Sequence, residues 1–204
     1  MNRNEGKKIL QGTSITLATV LISLTAAGVL TSAWAQTTSA KDSAMAPKVI
    51  EETGFTIIGI AERTTNAKEM SPDGVIGKQW TRFLQENLLA QIPNRADSSI
   101  IVVITDYASD KDGEYTHLIG AKVTSATEVP PGMVTKQVPP GRYAVFTSEK
   151  GPVAKVVVGT WVRIWSIPKS SPGGDRAYKA DYEVYDQRAA NPQDAQVDVH
   201  IGIR

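Results

Sequence analysis

The chain contains no cysteine. Disulfides, thiolate metal sites, a cysteine nucleophile and a lipidated cysteine anchor are therefore excluded. Histidine is nearly as scarce. The two present, His117 and His200, have no ligand spacing around them, so no metal site is expected. There is no Gly-x-Ser-x-Gly elbow, and Gly74-Val75-Ile76-Gly77-Lys78 lacks the spacing of a phosphate loop and reads as a helix start. No cofactor is expected. The chain also has no surplus of charge, with 22 basic and 21 acidic residues. Such a balance gives no electrostatic case for nucleic acid as a partner.

One absence is local. Between Ile9 and Ala40 there is no charged residue, and Ile15–Leu30 is strongly apolar. Arg3, Lys7 and Lys8 precede this run, and Ala33-Trp34-Ala35 closes it. The pattern is that of a secretory signal peptide over residues 1–35, with the mature chain starting near Gln36. The alternative is an uncleaved anchor, since the run nearly reaches spanning length. Cleavage removes three basic residues and Glu5, leaving a net charge of −1. The protein is thus expected to be exported, periplasmic or extracellular, with no stable membrane insertion after cleavage. Residues 36–53 read as a flexible leader. Residues 54–204 read as one domain, long enough for a real core, which without cysteines must hold the fold alone.

Within that domain Phe55–Arg63 reads as a strand. Ser71-Pro72-Asp73 starts a helix whose apolar face is Ile76, Trp80, Phe83, Leu84 and Leu88, stopping before Pro93. Ile100–Tyr107 and Tyr115–Ser125 form a hairpin about Asp110-Lys111-Asp112-Gly113. The order then recurs. Met133–Val138 and Gly141–Ser148 are strand-like, and Gly151-Pro152 opens a helix with Val153, Val157, Trp161, Ile164 and Trp165 on one face. Tyr178–Asp186 and Val197–Ile203 close the chain. Trp80-Thr-Arg-Phe matches Trp161-Val-Arg-Ile at an offset of 81, as do Thr116–Val123 and Val197–Arg204, while Asp106-Tyr107 matches Asp181-Tyr182 at 75. The expected fold is α+β: duplicated strand-helix-strand-strand units forming an antiparallel sheet of six to eight strands, two helices on one face, and a central cleft at the seam. Gly120 and Gly202 lie in strands and suggest close backbone approach or a bulge.

The segment Trp161–Arg188 carries the chemistry. In Asp181-Tyr182-Glu183-Val184-Tyr185, Glu183 shares a strand face with Asp181 and Tyr185. An inward carboxylate among aromatics needs a partner. Pattern alone leaves two readings. Glu183 either meets a cation in an aromatic pocket or is a solvent-facing or paired glutamate, with Arg163 or Lys179 as partner. Trp161 and Trp165 are i, i+4 neighbours on one helix face, and either lines the cleft or fills the core. Trp80 takes the corresponding place on the first helix. Tyr107 and Tyr143 either aim a hydroxyl at the pocket or cap the core rim.

A set of segments resembles the GyrI-like, or AraC-type, bacterial transcription activator effector-binding domains. It comprises Ile119-Gly120-Ala121-Lys122-Val123, Pro139-Pro140-Gly141-Arg142-Tyr143-Ala144-Val145-Phe146, Gly151, the Trp161–Trp165 helix, Pro168-Lys169-Ser170, Asp181–Tyr185 and Val199–Ile203. The resemblance runs from about Phe55 to Arg204. It implies a pocket for small organic molecules, often lipophilic cations, with Glu183 as counterpart of the family's pocket glutamate. Many members carry a fused helix-turn-helix. None is read in residues 1–53, so their gene-regulatory role is not carried over. One branch resembles hydrolases that add water to reactive electrophiles.

Three functions follow. The first is an exported protein binding a lipophilic, cationic compound through Glu183, Trp161, Trp165, Tyr107, Tyr143, Tyr185 and Trp80. The second is a hydrolase in which Glu183 positions or activates water. The third, ranked last, is a module for a protein partner. The sequence sets no oligomeric state.

Overall fold

A computed structural model describes residues 47–204; the expected signal segment 1–35 and the leader up to residue 46 lie outside the described residues. The strands are β1 (Lys48–Glu52), β2 (Phe55–Thr64), β3 (Ile100–Thr105), β4 (Tyr115–Val123), β5 (Val134–Val138), β6 (Gly141–Thr147), β7 (Arg176–Tyr185) and β8 (Asp198–Ile203). The α-helices are α1 (Asn66–Glu69), α2 (Ile76–Gln85), α3 (Leu88–Gln91) and α4 (Val153–Ser166).

All eight strands join one antiparallel sheet in the order β1-β6-β8-β7-β3-β4-β2-β5. The order is symmetric about the β7–β3 junction. β6-β8-β7 on one side mirrors β2-β4-β3 on the other, and each outer strand is supplied from the opposite half of the chain. The central strands are rich in β-branched residues, which suit a pleated surface covered on both sides. β3, Ile100-Ile-Val-Val-Ile-Thr105, is an example.

Lys48–Glu52, expected to belong to the leader, instead forms β1 and pairs Val49 with Ala144 and Ile50 with Tyr143. Its exposed charged residues are those of an edge strand, where ladder hydrogen bonds form without a buried apolar face. The ordered domain therefore begins before residue 54.

One sheet face carries the helices. Under α2 and α3 lies a core of Ile58, Ile60, Phe83, Leu88, Val102, Ile104 and Ile119. Under α4 lies a second, of Ala144, Phe146, Ile164, Val199 and Ile201. The opposite face holds Phe55, Ile57, Ile101, Val103, Leu118, Tyr143 and Tyr182. The helix expected to continue to Leu88 stops at Gln85, because Asn87 turns left-handed (φ 48°) and α3 starts afresh. Leu84, expected on the buried face, is 61% exposed. Gln79 is buried in its stead, since its amide nitrogen bonds the Ile60 and His117 carbonyls at 2.9 and 3.0 Å.

The residue offset expected for the last strands does not hold. Ile119 lies on the helix-bearing face, whereas the residue 81 positions on, His200, stacks on Tyr182 at 4.2 Å on the other face. An offset that shifts the pleat by one residue exchanges faces. The close approach expected at Gly120 is present. It opposes Gly59, and a Cβ on either would come within 2.0 Å of backbone oxygen across the pair.

Candidate functional site

β7 and β3 are the two middle strands, so a helix-side residue where β7 pairs with β3 lies deep in the seam between α2 and α4. Glu183 is that residue. It is flanked by Val102 on β3 and Val199 on β8, and it is 4% exposed. The pleat puts Asp181 and Tyr185 on the same face and turns Tyr182 and Val184 away.

α4 starts behind Gly151-Pro152 and ends as Ile167 turns extended ahead of Pro168. Its length brings Trp161 over Glu183, where the indole Nε1–H donates to Oε1 at 2.6 Å. The Tyr185 hydroxyl donates to Oε2 at 2.6 Å. Both carboxyl oxygens are thus held by neutral donors. Among the described residues no Lys or Arg forms an ion pair with Glu183. Arg163 reaches the Thr147 carbonyl and the Phe146 ring instead, and among the described residues the one buried ion pair is Arg176–Asp181. Burial raises the Glu183 pKa above the ordinary carboxylate value, and the bonds from Tyr185 and Trp161 only partly offset this.

These groups wall a cavity of about 190 Å³. It brings together Glu183, Trp161, Trp165, Tyr107, Tyr185 and Trp80. Trp80 packs edge-on against Tyr185 at 5.1 Å, and Trp161 lies 6.1 Å from Trp165. Tyr107, expected on a strand, stands just past β3, where Asp106 (φ 50°) diverts the chain. Its hydroxyl is committed to Asp181 Oδ2 at 2.6 Å. Tyr143 does not join the site. It sits on the sheet face opposite the helices, packs on Tyr182 at 5.4 Å and donates to the Pro139 carbonyl at 3.0 Å. Its neighbour Ala144 takes the helix-side position, so the pleat assigns Tyr143 outward.

Sequence reading missed several wall residues. Glu69 accepts from the Thr64 hydroxyl and from the Val75 and Ile76 N–H groups at 3.0 and 3.1 Å, which caps the start of α2. Burial pushes its pKa up, but these donors outweigh it and hold the group below its usual value. His117, buried, is lowered to about 4 by desolvation. Gln79 donates through its nitrogen to two carbonyls, so its oxygen accepts from His117 Nδ1 at 2.7 Å, leaving Nε2 as an acceptor. Arg176 stands before an irregularity in β7. It pairs with Ile203, and the register resumes only at Asp181. Tyr178 inside that bulge has φ 52°, and its ring lies 4.4 Å from the Arg176 guanidinium carbon. No periodicity flags a cation in this place.

The sequence of residues 48–203 matches the family described as integron-associated effector-binding protein, Cass2. YobU of Bacillus subtilis, named as a transcriptional regulator protein, is 33% identical over 147 residues, which are 72% of this chain and 90% of YobU. The transcriptional regulator BrlR of Pseudomonas aeruginosa is 31% identical over 161 residues; the match spans 78% of this chain but only 56% of BrlR. Among solved structures, an integron cassette protein from the mobile metagenome of Vibrio cholerae superposes with a TM-score of 0.60 at 28% identity, covering 78% of this chain and 96% of that one. SAV2435, solved bound to tetraphenylphosphonium, shares the fold with a TM-score of 0.59 at 15% identity, over 78% of this chain and 94% of that one. An antiparallel sheet with a walled cavity at its seam, together with these matches, shows that the chain belongs to the integron-associated (Cass2), GyrI-like effector-binding family of small-molecule-binding domains.

Proposed function

We propose that this protein is an exported binder of lipophilic organic cations, with Glu183 as the counter-charge and the tryptophans and tyrosines as the wall. The observation that carries the reading is a buried carboxyl group without a cationic partner among the described residues. Such a group is costly to ionise unless a positive charge arrives. A cation beside Trp161 and Tyr185 gains ring attraction of about 0.5–2 kcal/mol besides the charge pairing. The hydrolase reading finds less support. Both Glu183 oxygens are engaged, and the Tyr107 hydroxyl is spent on Asp181, so neither group that this reading would use is free.

The tetraphenylphosphonium bound to SAV2435 makes that cation the first probe. At about 190 Å³ the cavity is below the ~300–1000 Å³ of drug-sized sites, so a tetraaryl cation displaces wall side chains as it enters. Three tryptophans line the wall. Titration is therefore expected to change the intrinsic fluorescence saturably, and a flat signal with no heat in calorimetry would reject cation binding. Export rests on the charge-free run ahead of residue 41. Fractionation of cells making the full chain is expected to recover a product starting near Gln36 outside the cytoplasm. Full-length cytoplasmic protein would remove export and leave the binding reading standing.

A further inference from the structure

The cavity wall carries a hydrogen-bond acceptor that the protein leaves unused. His117 is 4% exposed and lines the same cavity as Glu183. Its tautomer is fixed. Gln79 spends its amide nitrogen on two backbone carbonyls, so its oxygen takes the proton of His117 Nδ1 at 2.7 Å. Nε2 is left with a bare lone pair, and burial keeps the ring neutral. Among the described residues nothing donates to Nε2. Nor is it sealed off, because the unpartnered side-chain atoms without accessible surface belong to Arg163, Arg176 and His200. With the sheet below and α2 beside it, the cavity is the space on which Nε2 opens. The nearby donors are committed elsewhere. The Thr64 hydroxyl serves Glu69, the Tyr115 hydroxyl serves Asn66 Oδ1 at 3.0 Å, the Asn66 amide serves the Lys111 carbonyl at 2.7 Å, and the Lys111 ammonium serves Asp112 at 2.7 Å. A buried acceptor of this kind is nearly always met, by the protein or by what enters.

The Glu69 carboxylate lines the same cavity and lies within electrostatic reach of the His117 ring. It receives neutral donors only, the Thr64 hydroxyl and the Val75 and Ile76 N–H groups. The sheet sets the distance from Glu183. Glu183 shares a row with Val102 and Ile119, and His117 lies two strands over and two residues along. At ~4.8 Å per strand and ~3.3 Å per residue the two backbone positions are about 12 Å apart. Resting on the cation-binding reading, we infer that His117 Nε2 and Glu69 form a second subsite for a protonated amine. The preferred ligand is then a lipophilic cation seated at Glu183 with an ammonium arm that donates an N–H to Nε2 and turns its charge toward Glu69. An ammonium has donors and no acceptor, which complements an end made of acceptors. Its charge-assisted hydrogen bonds are roughly twice as strong as neutral ones. A quaternary arm carries the same charge without any N–H and leaves Nε2 unmet.

A matched pair of probes of equal charge tests this at neutral pH: (4-aminobutyl)triphenylphosphonium and its N,N,N-trimethylammonio analogue. Wild-type protein is expected to bind the amine probe at least tenfold more tightly by calorimetry. His117→Phe keeps the bulk of the ring and removes the acceptor. His117 belongs to the wall, so the readout is the ratio of the two affinities, whatever the variant does to each. That ratio is expected to fall to within about twofold of one. Nitrogen NMR of protein labelled at its two histidines gives a second measurement that needs no variant. The Nε2 resonance of His117 is expected to move with the amine probe and to stay in place with the trimethyl probe. If His117→Phe does not fold, this resonance decides. Equal binding of the two probes by wild type, a preference that survives in His117→Phe, or an Nε2 resonance indifferent to the amine probe overturns the subsite. Tetraphenylphosphonium separates the two readings. If it binds and neither armed probe does, the subsite falls and cation binding stands. If none of the three binds, both fall.

Discussion

Glu183→Gln is expected to weaken tetraphenylphosphonium binding by about ten- to a hundredfold without lowering thermal stability. The affinity loss is the ~1.5–3 kcal/mol of a hydrogen-bonded or paired charge removed from a buried place. Stability should hold because the substitution removes a group whose ionisation burial opposes, and glutamine can still accept from Trp161 Nε1–H and meet the Tyr185 hydroxyl. The pH dependence separates the two effects. The folded pKa of Glu183 lies above its unfolded value, so its contribution to stability is present below about 4.5 and is lost as pH rises through the folded pKa. Affinity runs the other way. A permanent cation needs the carboxylate, so binding falls as pH drops through that raised pKa, sooner than for a surface glutamate. His117 and His200, both lowered to about 4 by burial, act on stability in the opposite sense, which is present above 6.5 and lost as pH falls toward 4. They remain in Glu183→Gln. The difference between wild type and variant therefore isolates Glu183. An affinity unchanged by the substitution, or flat in pH, would sink the proposed counter-charge.

What was legible in the sequence follows from periodicity. The alternation of Asp181-Tyr182-Glu183-Val184-Tyr185 gave the inward face of β7, and the i, i+4 spacing of Trp161 and Trp165 gave one face of α4. Both patterns are local, and both are set by the backbone repeat. Tyr143 was misjudged because a tyrosine on a strand buried on both sides carries no mark of which side it faces. The sheet interior is apolar on either surface here, so alternation loses its meaning. β1 was overlooked because an edge strand needs only a partner's free hydrogen bonds. Leu84 fitted the apolar stripe of α2, yet the burial of Gln79 by two backbone carbonyls set the helix's contact face. Arg176 was invisible for a different reason. Its place depends on the β7 bulge and on Asp181 five residues away, and sequence spacing along a strand does not reveal a register break.

That same pair carries the largest expected change in stability. Asp181→Ala should destabilise the domain by about 3–5 kcal/mol, the cost of stranding one member of a buried ion pair. Asp181 is fully buried and serves three groups, Arg176, Tyr107 and the Gly202 N–H, so truncation orphans donors on two strands and a loop. At roughly 2–4 °C per kcal/mol for a domain of this size, the melting temperature should fall by about 6–20 °C. A compensated change should behave otherwise. Arg176→Met/Asp181→Asn removes both charges, leaves an acceptor for the Gly202 N–H and an amide donor for the Tyr107 hydroxyl oxygen, and exchanges an ion pair for an apolar stem among rings. Replacing both members of such a pair is often close to neutral. The double variant is therefore expected to melt well above Asp181→Ala, and a double-mutant cycle in these positions should return a large coupling. Equal melting temperatures for Asp181→Ala and wild type would mean that the Arg176–Asp181 pair is not held dry beside the cavity.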